Sequence, residues 1–161
     1  MGAVYTYTKD LKKPIVGRAL IAYLKTPLIE AASEIPTFQF SNNGAARSWG
    51  KVLNRLGYIV DSVDWDQTNI RTKKKYDIIV IHGGKNYKGL IGSLAQGGKI
   101  IYYSTGSYWK FHNQAEESRY QMFAERHGVE LPYDRHIDDD EEGANQAADA
   151  LIILGNKKTH A

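Results

Sequence analysis

Short apolar segments with the character of β-strands alternate with helical segments along most of this chain. They lie at residues 18–24, 58–63, 76–81, 99–103 and 150–154. The run from Ile78 to Ile81 is apolar throughout, as is typical of a strand that is buried on both faces. Such alternation predicts a parallel sheet with helices on both faces. We therefore expect an α/β fold of the Rossmann-like, doubly wound kind, with a mostly parallel sheet of about five or more strands.

The length of 161 residues fits one domain. Residues 1–17 are polar and basic, and we expect this N-terminal segment to be poorly ordered. Residues 18–161 then form a single Rossmann-like domain. The fifth strand-like segment comes just before residue 161, where a parallel α/β fold normally begins another helix. We therefore expect this domain to be the N-terminal half of a two-domain enzyme.

The clearest helix is predicted to begin at residues 41–44 and to end at Gly57. Ser41 or Asn43 can cap its first turn, and Gly57 stands where a left-handed residue commonly ends a helix. Apolar residues at helical spacing predict one buried stripe, which consists of Ala45, Trp49, Val52, Leu53 and Leu56. The preceding connection, residues 25–43, is long for a loop and could hide a short helix at 28–33.

Two further helices are predicted, near residues 87–95 and at 111–127. The second carries a set of apolar residues on one side, namely Phe111, Ala115, Met122 and Phe123. On the same helix His112 and Glu116 are four residues apart, with Arg119 nearby. We interpret them as an ion pair on the helix surface rather than as metal ligands, because no third ligand is evident. No metal site is expected.

The composition excludes several classes of protein. Without cysteine the chain has no disulfide, no thiolate metal site and no cysteine nucleophile, which fits a reducing compartment. No apolar run reaches the ~18 residues that a membrane span needs. We therefore expect a cytoplasmic protein, with peripheral attachment to a membrane as the alternative. The basic run Lys73–Lys75 is short and has no interleaved aromatic residues, so no nucleic-acid partner is expected.

Three groups of candidate residues follow predicted strands or open a helix, where parallel α/β folds bind their ligands. Asn42-Asn43-Gly44 begins a helix and can hold an anion on free N–H groups, or it is an ordinary helix cap. His82-Gly83-Gly84 offers a candidate general base and a backbone that a ligand can touch, or it is a tight turn with a hydrogen-bonded histidine. Ser104-Thr105-Gly106 offers hydroxyl and N–H groups but lacks the G-x-S-x-G pattern of a nucleophile elbow. The dinucleotide and P-loop fingerprints are absent.

The order of these residues resembles the N-terminal domain of glycosyltransferases of the GT-B type. The likeness extends over residues 18–156. It is carried by the helix entry from Ser41 to Arg47, by Leu56-Gly57-Tyr58 and Val60-Asp61, by Thr105 to Trp109, and by His112-Asn113, Glu116 and Arg119. It continues through Arg126-His127-Gly128-Val129, Arg135, Ala148-Asp149-Ala150 and Leu154-Gly155-Asn156.

This resemblance implies a division of labour between two domains. The N-terminal domain would bind a sugar or glycan acceptor, and a C-terminal domain missing from this chain would bind the nucleotide-sugar donor, which is a co-substrate; no other cofactor is expected. His82 would contact the acceptor or act as a base, Asn43-Gly44 would approach the donor phosphates, and Arg47 and Lys51 are candidates to stabilise the departing diphosphate. The isolated chain would be inactive, and its exposed interdomain face could drive self-association.

Two other functions are compatible with the same residues. One is a non-catalytic α/β module that binds a ligand or a protein. The other is a small hydrolase that uses His82 and the loop from Ser104 to Ser107.

Overall fold

The computed structural model describes residues 4–29, 41–70 and 72–154. Predictions for residues 30–40, for Arg71 and for Gly155-Asn156 lie outside these ranges. The described elements, in chain order, are β1 (Tyr5–Tyr7), β2 (Gly17–Tyr23), α1 (Thr26–Ile29), α2 (Asn42–Arg55), β3 (Tyr58–Asp64), β4 (Tyr76–Ile81), α3 (Tyr87–Ile91), β5 (Leu94–Ser104), α4 (Trp109–His127), α5 (Glu141–Ala147) and β6 (Ala150–Ile153).

The strands form one six-stranded sheet in the order β1-β3-β2-β4-β5-β6. Every neighbouring pair is parallel except β1 and β3, which are antiparallel. The prediction of an α/β fold with a mostly parallel sheet is therefore confirmed. Within the N-terminal segment, Tyr5–Tyr7 forms the edge strand β1. Thr6 donates a hydrogen bond to Asp61 on β3, and Tyr7 is buried.

Helices cover the two faces of the sheet with separate cores, because successive side chains of a strand point to opposite faces. On one face, Leu20, Ala22, Ile79 and Ile81 pack with Tyr87 and Leu90 of α3 and Ala144 of α5. On the other, Ala19, Ile21, Tyr23 and Val80 pack with Leu28 of α1 and Ala46 and Leu53 of α2. Burial of each large apolar side chain contributes roughly 1.5–3 kcal/mol.

The buried face of α2 differs from the predicted apolar stripe. Leu53 is buried, but Val52 and Leu56 are half exposed. Gly50 is buried instead. A Cβ at this position would lie 2.6 Å from Leu28 Cδ2, so the absence of a side chain lets α1 approach α2 closely. Asn54 is also buried, where its amide donates to the carbonyls of Tyr7 and Tyr58 at 3.1 and 3.0 Å. Glycine and asparagine therefore build this interface, and an apolar pattern does not reveal them.

The ends of α2 agree with the prediction. Ser41 caps the first turn by accepting from the Gly44 N–H at 3.1 Å. Gly57 adopts a left-handed conformation with φ 100°, and its N–H donates to the Asn54 carbonyl.

Two elements near the third helix differ from expectation. The helix predicted near 87–95 ends at Ile91, and β5 begins already at Leu94. The early start is possible because the pairing register between β4 and β5 shifts between Tyr76 and Ile78, and Gly97 takes up a positive φ of 76°. None of the helices within the described ranges is long and apolar enough to cross a lipid bilayer.

Candidate functional site

An open cleft of about 840 Å³ lies beyond the carboxyl ends of the central parallel strands. Six of the predicted site residues line it, and they come from three separate parts of the chain. These residues are Asn42, His82, Gly83, Ser104, Thr105 and Gly106. Lys85 and Trp65, which follow β4 and β3, also line this cleft. The sheet topology thus brings together side chains that are up to 64 residues apart, between Asn42 and Gly106.

The other four predicted site residues do not line the cleft. Arg47 is buried, and its Nε donates to the Pro27 carbonyl at 2.9 Å, so it joins α2 to the turn of α1. Gly44 uses its N–H in the helix cap, and Asn43 lies beside it on α2. Gly84 packs directly against the start of α5, where a Cβ would lie 2.2 Å from the Asp140 carbonyl carbon.

His82 is held at the end of β4 by its neighbours. Its Nδ1 lies 2.8 Å from the Tyr103 carbonyl oxygen, which can only accept, so Nδ1 carries the proton. In the neutral ring Nε2 is then an acceptor. Among the described residues nothing hydrogen-bonds to that nitrogen. Tyr23 contacts the ring edge to face at a centroid distance of 4.9 Å, and Trp65 does so at 6.1 Å.

The loop after β5 faces this histidine without bonding to it. The Ser104 hydroxyl donates to the Gly106 carbonyl at 3.2 Å rather than to His82. Tyr23, at the end of the adjacent strand β2, is buried, and burial together with the neighbouring Tyr103 raises its pKa to about 12. It therefore stays protonated at neutral pH, and its enclosed hydroxyl is not part of the cleft lining.

A second wall of the cleft consists of residues 134–139, which the sequence analysis missed. This segment has no regular secondary structure, and its backbone is fixed by side chains of α4. Glu116 Oε1 accepts from the N–H groups of Asp134 and Arg135 at 3.2 and 2.8 Å. Asn113 donates to the carbonyl of Ile137 and accepts from its N–H, both at 2.9 Å.

The predicted ion pair between His112 and Glu116 is present, with Nε2 and Oε2 3.6 Å apart, and Arg119 lies 3.7 Å from the same oxygen. Its location on the helix surface was predicted wrongly, because the Glu116 side chain is only 3% exposed. The charges and the spacing of His112 and Glu116 predicted their contact. Nothing local in the sequence indicates that the segment 134–139 covers the side chain of Glu116.

His136 ties the same wall to α4 through two carboxylates. Its Nδ1 lies 2.7 Å from Asp138 and its Nε2 lies 3.1 Å from Glu117, while the ring stacks on Tyr133. The hydrogen bonds to Asp138 and Glu117 raise the pKa of His136. Protonated His136 therefore satisfies both carboxylates at once.

The base of the cleft is closed by the first turn of α5. The Tyr102 hydroxyl donates to the buried Glu141 at 2.7 Å, and burial together with this bond raises the pKa of Tyr102. Asp140 caps the helix by accepting from the Gly143 N–H. Lys88, Tyr87 and that N–H lower the pKa of Asp140 to about 2. The acidic residues Asp140, Glu141 and Glu142 thus form the entry of this helix.

An apolar groove of about 980 Å³ adjoins the cleft. Its exposed apolar lining comes from the start of α4 and from the edge strand β6, and comprises Tyr108, Phe111, Leu151, Ile153 and Leu154. Further along α4, Met122 and Phe123 are exposed as well. The predicted apolar side of α4 therefore does not contribute to the described core.

Within the described ranges, no three histidine, aspartate or glutamate side chains come together in a way that could hold a metal ion. The site consists of one histidine with an available acceptor nitrogen, backbone and hydroxyl groups, and a wall of charged residues. No protein-family model matches the chain, and neither curated proteins nor solved structures show a significant similarity to it.

Proposed function

We propose that this chain is the acceptor-binding domain of a glycosyltransferase that uses a nucleotide-sugar donor, as the sequence resemblance implies. The observation that carries the proposal is the convergence of Asn42, His82 and Ser104–Gly106 on one cleft at the carboxyl edge of the sheet. Of these positions, the resemblance assigns His82 to the cleft between two domains, and it places Asn43-Gly44, next to Asn42, near the donor phosphates. An open cleft at that edge is where an acceptor would meet a donor held by a second domain.

The strand order supports a Rossmann-like, doubly wound arrangement. If β1 is set aside, the parallel strands β3, β2, β4, β5 and β6 have the order 2-1-3-4-5. This is one of the two common orders of doubly wound sheets, and its ligands bind where the chain reverses direction across the sheet. That point lies between β2 and β4, the strands that end at Tyr23 and precede His82.

His82 would act on the acceptor hydroxyl. Its Nε2 can accept that proton while the hydroxyl oxygen forms a bond to the anomeric carbon of the donor sugar. The bond from that carbon to the nucleoside diphosphate breaks, and the diphosphate leaves with the electron pair. The bond from Nδ1 to the Tyr103 carbonyl keeps the ring in the orientation and tautomer that this step needs.

One observation favours the alternative of a non-catalytic binding module. Arg47 was assigned to the departing diphosphate, but its guanidinium is buried and bonded to the Pro27 carbonyl. Arg47 would then not be available to a diphosphate in the cleft. The hydrolase alternative loses support, because Ser104 donates to Gly106 and not to His82.

The test is binding of the chain to an array of glycans and simple glycosides, followed by titration in solution. We expect carbohydrate binding that His82→Ala weakens by about tenfold, since a hydrogen bond of about 1–1.5 kcal/mol is lost. Arg55→Ala, an exposed change at the opposite end of α2, is the matched control and should bind like the parent. Absence of carbohydrate binding would refute the proposal, and ester hydrolysis that depends on His82 would favour the hydrolase.

A further inference from the structure

Four residues line one corner of the cleft. Trp65 follows β3, His82 and Gly83 follow β4, and Asp139 ends the wall of residues 134–139. The ring of Trp65 lies 6.1 Å from that of His82 at an angle of 80°. These residues come from three connections of the fold and none of them is part of a helix.

Gly83 presents bare backbone in the middle of this corner. A Cβ at this position would lie 3.4 Å from Trp65 Cε3 and 3.7 Å from Asp139 Oδ2, which are ordinary contact distances for one carbon atom. The aromatic ring and the carboxylate therefore flank the backbone of Gly83 on two sides. Gly83 also has φ 69°, a conformation that glycine adopts without strain.

Asp139 has an unmet requirement for hydrogen-bond donors. Its Oδ1 is enclosed by protein and accepts no hydrogen bond from any described residue. A ligand cannot reach that enclosed oxygen. Asp139 also lines the cleft, and its Oδ2 lies 3.7 Å from the position of a Cβ on Gly83 and accepts from no described residue. A ligand in the cleft that brings hydroxyl or amine donors would therefore meet Oδ2.

Trp65 supplies the apolar surface opposite that carboxylate. Its ring is partly exposed, and Lys85 Nζ lies 4.7 Å from the ring centroid. Lys85 is exposed, and no described residue forms an ion pair with it, so a ligand can displace it from the ring. An aromatic face next to a carboxylate and a histidine acceptor suits a ring that is apolar on one face and carries hydroxyl groups at its edge.

We propose that Trp65, Gly83, Asp139 and His82 form a subsite for one uncharged pyranose ring of the acceptor. The ring packs on Trp65 over Gly83, one hydroxyl donates to Asp139, and another donates to His82 Nε2. Anionic sugars are disfavoured, because their carboxylate would meet that of Asp139. The inference rests on the proposed acceptor-binding function and adds the chemical class of the acceptor and three further residues.

The test follows the three tryptophan side-chain N–H signals by NMR while methyl glycosides of glucose, galactose and mannose are added. Trp65→Phe identifies the signal of Trp65. We expect at least one neutral glycoside to shift that signal, and the glycoside of glucuronic acid to bind more weakly. Asp139→Asn should weaken binding on the order of tenfold, as for a hydrogen bond to a charged group. Asp66→Asn makes the same change from carboxylate to carboxamide at an exposed residue next to Trp65. It is the matched control and should leave binding unchanged.

Two outcomes would overturn the subsite. One is saturation of the protein with an array-positive glycan without a shift of the Trp65 signal, which would leave the proposed function intact and place the acceptor elsewhere. The other is equal loss of binding in Asp139→Asn and Asp66→Asn. Carbohydrate binding at Trp65 that His82→Ala does not weaken would keep the aromatic contact but refute the assigned role of His82.

Discussion

The side chain of Asn113 forms two hydrogen bonds with the backbone of Ile137, as donor to the carbonyl and acceptor from the N–H, both at 2.9 Å. This pairing imitates that of a neighbouring β-strand. It fixes the middle of the segment 134–139, which forms one wall of the cleft. A buried amide of α4 therefore fixes the middle of the wall, beside the bonds that Glu116 makes to Asp134 and Arg135.

Replacement of Asn113 by alanine should destabilise the fold and loosen this wall. Two buried backbone groups of Ile137 would lose their partner, which costs about 1–3 kcal/mol in the free energy of unfolding. Urea denaturation measures the loss. Gln114→Ala changes the neighbouring exposed amide and is the control, which should cost less than about 0.5 kcal/mol. Equal effects of the two variants would contradict the assigned role of Asn113.

The contact of His136 with Asp138 and Glu117 should depend on pH. Because hydrogen bonds to these carboxylates raise the pKa of His136 above its ordinary 6.5, the folded state binds the proton more tightly than the unfolded state. The contribution is therefore complete below pH 6.5 and is lost as the pH rises through the raised pKa. Hydrogen exchange of residues 133–139 should become faster across that interval.

His136→Gln should remove this pH dependence, and the matched control His127→Gln, an exposed histidine at the end of α4, should retain it. If the exchange rates of the parent and of His136→Gln change equally with pH, after correction for the intrinsic rate, His136 does not tie the wall to α4.

Asp61 should be important for stability although it lies far from the cleft. It is fully buried on β3 and accepts from Thr6, Arg18, Lys74 and Tyr76. Asp61→Asn should cost about 2 kcal/mol, less than for a fully enclosed ion pair, because both cations reach solvent. Thermal or urea unfolding at neutral pH measures this loss, and Asp66→Asn serves as the exposed control.

The same carboxylate gives a second readout. Burial acts to raise the pKa of Asp61, but the hydrogen bonds from Thr6, Lys74 and Tyr76 outweigh it, so the pKa is lowered from 3.8. Its contribution is present above pH 3.8 and is lost as the pH falls through the lowered value. The difference between the parent and Asp61→Asn should therefore shrink in acid. A difference that stays constant down to pH 2 would show that charge is not the cause.

Two glycines should respond oppositely to alanine. Gly84→Ala would drive a methyl group into the backbone of Asp140 and Glu141, at distances of 2.2 and 2.3 Å, and should cost about 3 kcal/mol or more. Gly89, within α3, has nothing within 4 Å of the added carbon. Gly89→Ala should stabilise by about 0.4–1 kcal/mol through its helix propensity. Thermal unfolding of the two variants compares them directly, and a tolerated Gly84→Ala would mean that α5 can move away from the cleft.

The parallel sheet was predictable from the sequence because its signals are local. The apolar run of β4 gave its limits, Tyr76–Ile81, without error, and Gly57 ended α2 as expected. The convergence of Asn42, His82 and Ser104 in one cleft followed from the rule that parallel strands end at the same edge. These inferences needed only the order of elements and not the packing of particular side chains.

The second wall of the cleft was not predictable for the opposite reason. Asp134 and Ile137 are held by Glu116 and Asn113, and no periodicity marks a segment whose structure depends on two distant polar side chains. The buried face of α2 was misread in a similar way, because Gly50 and Asn54 contribute close approach and hydrogen bonds rather than apolar area. Polar burial is the signal that hydrophobic patterns cannot report.

The tie between α4 and residues 134–137 spans a short stretch of chain. Its hydrogen-bonded partners are separated by 18 to 24 residues, and both buried residues of α4 are used in it. Because these contacts are local in sequence, we expect the helix and this strap to form and open together as one cooperative unit. The cleft thus has one wall that belongs to the sheet and another that local side-chain contacts hold in place. A ligand that bridges the two binds only when the second wall is closed, so its binding free energy adds to the free energy that opening this wall requires.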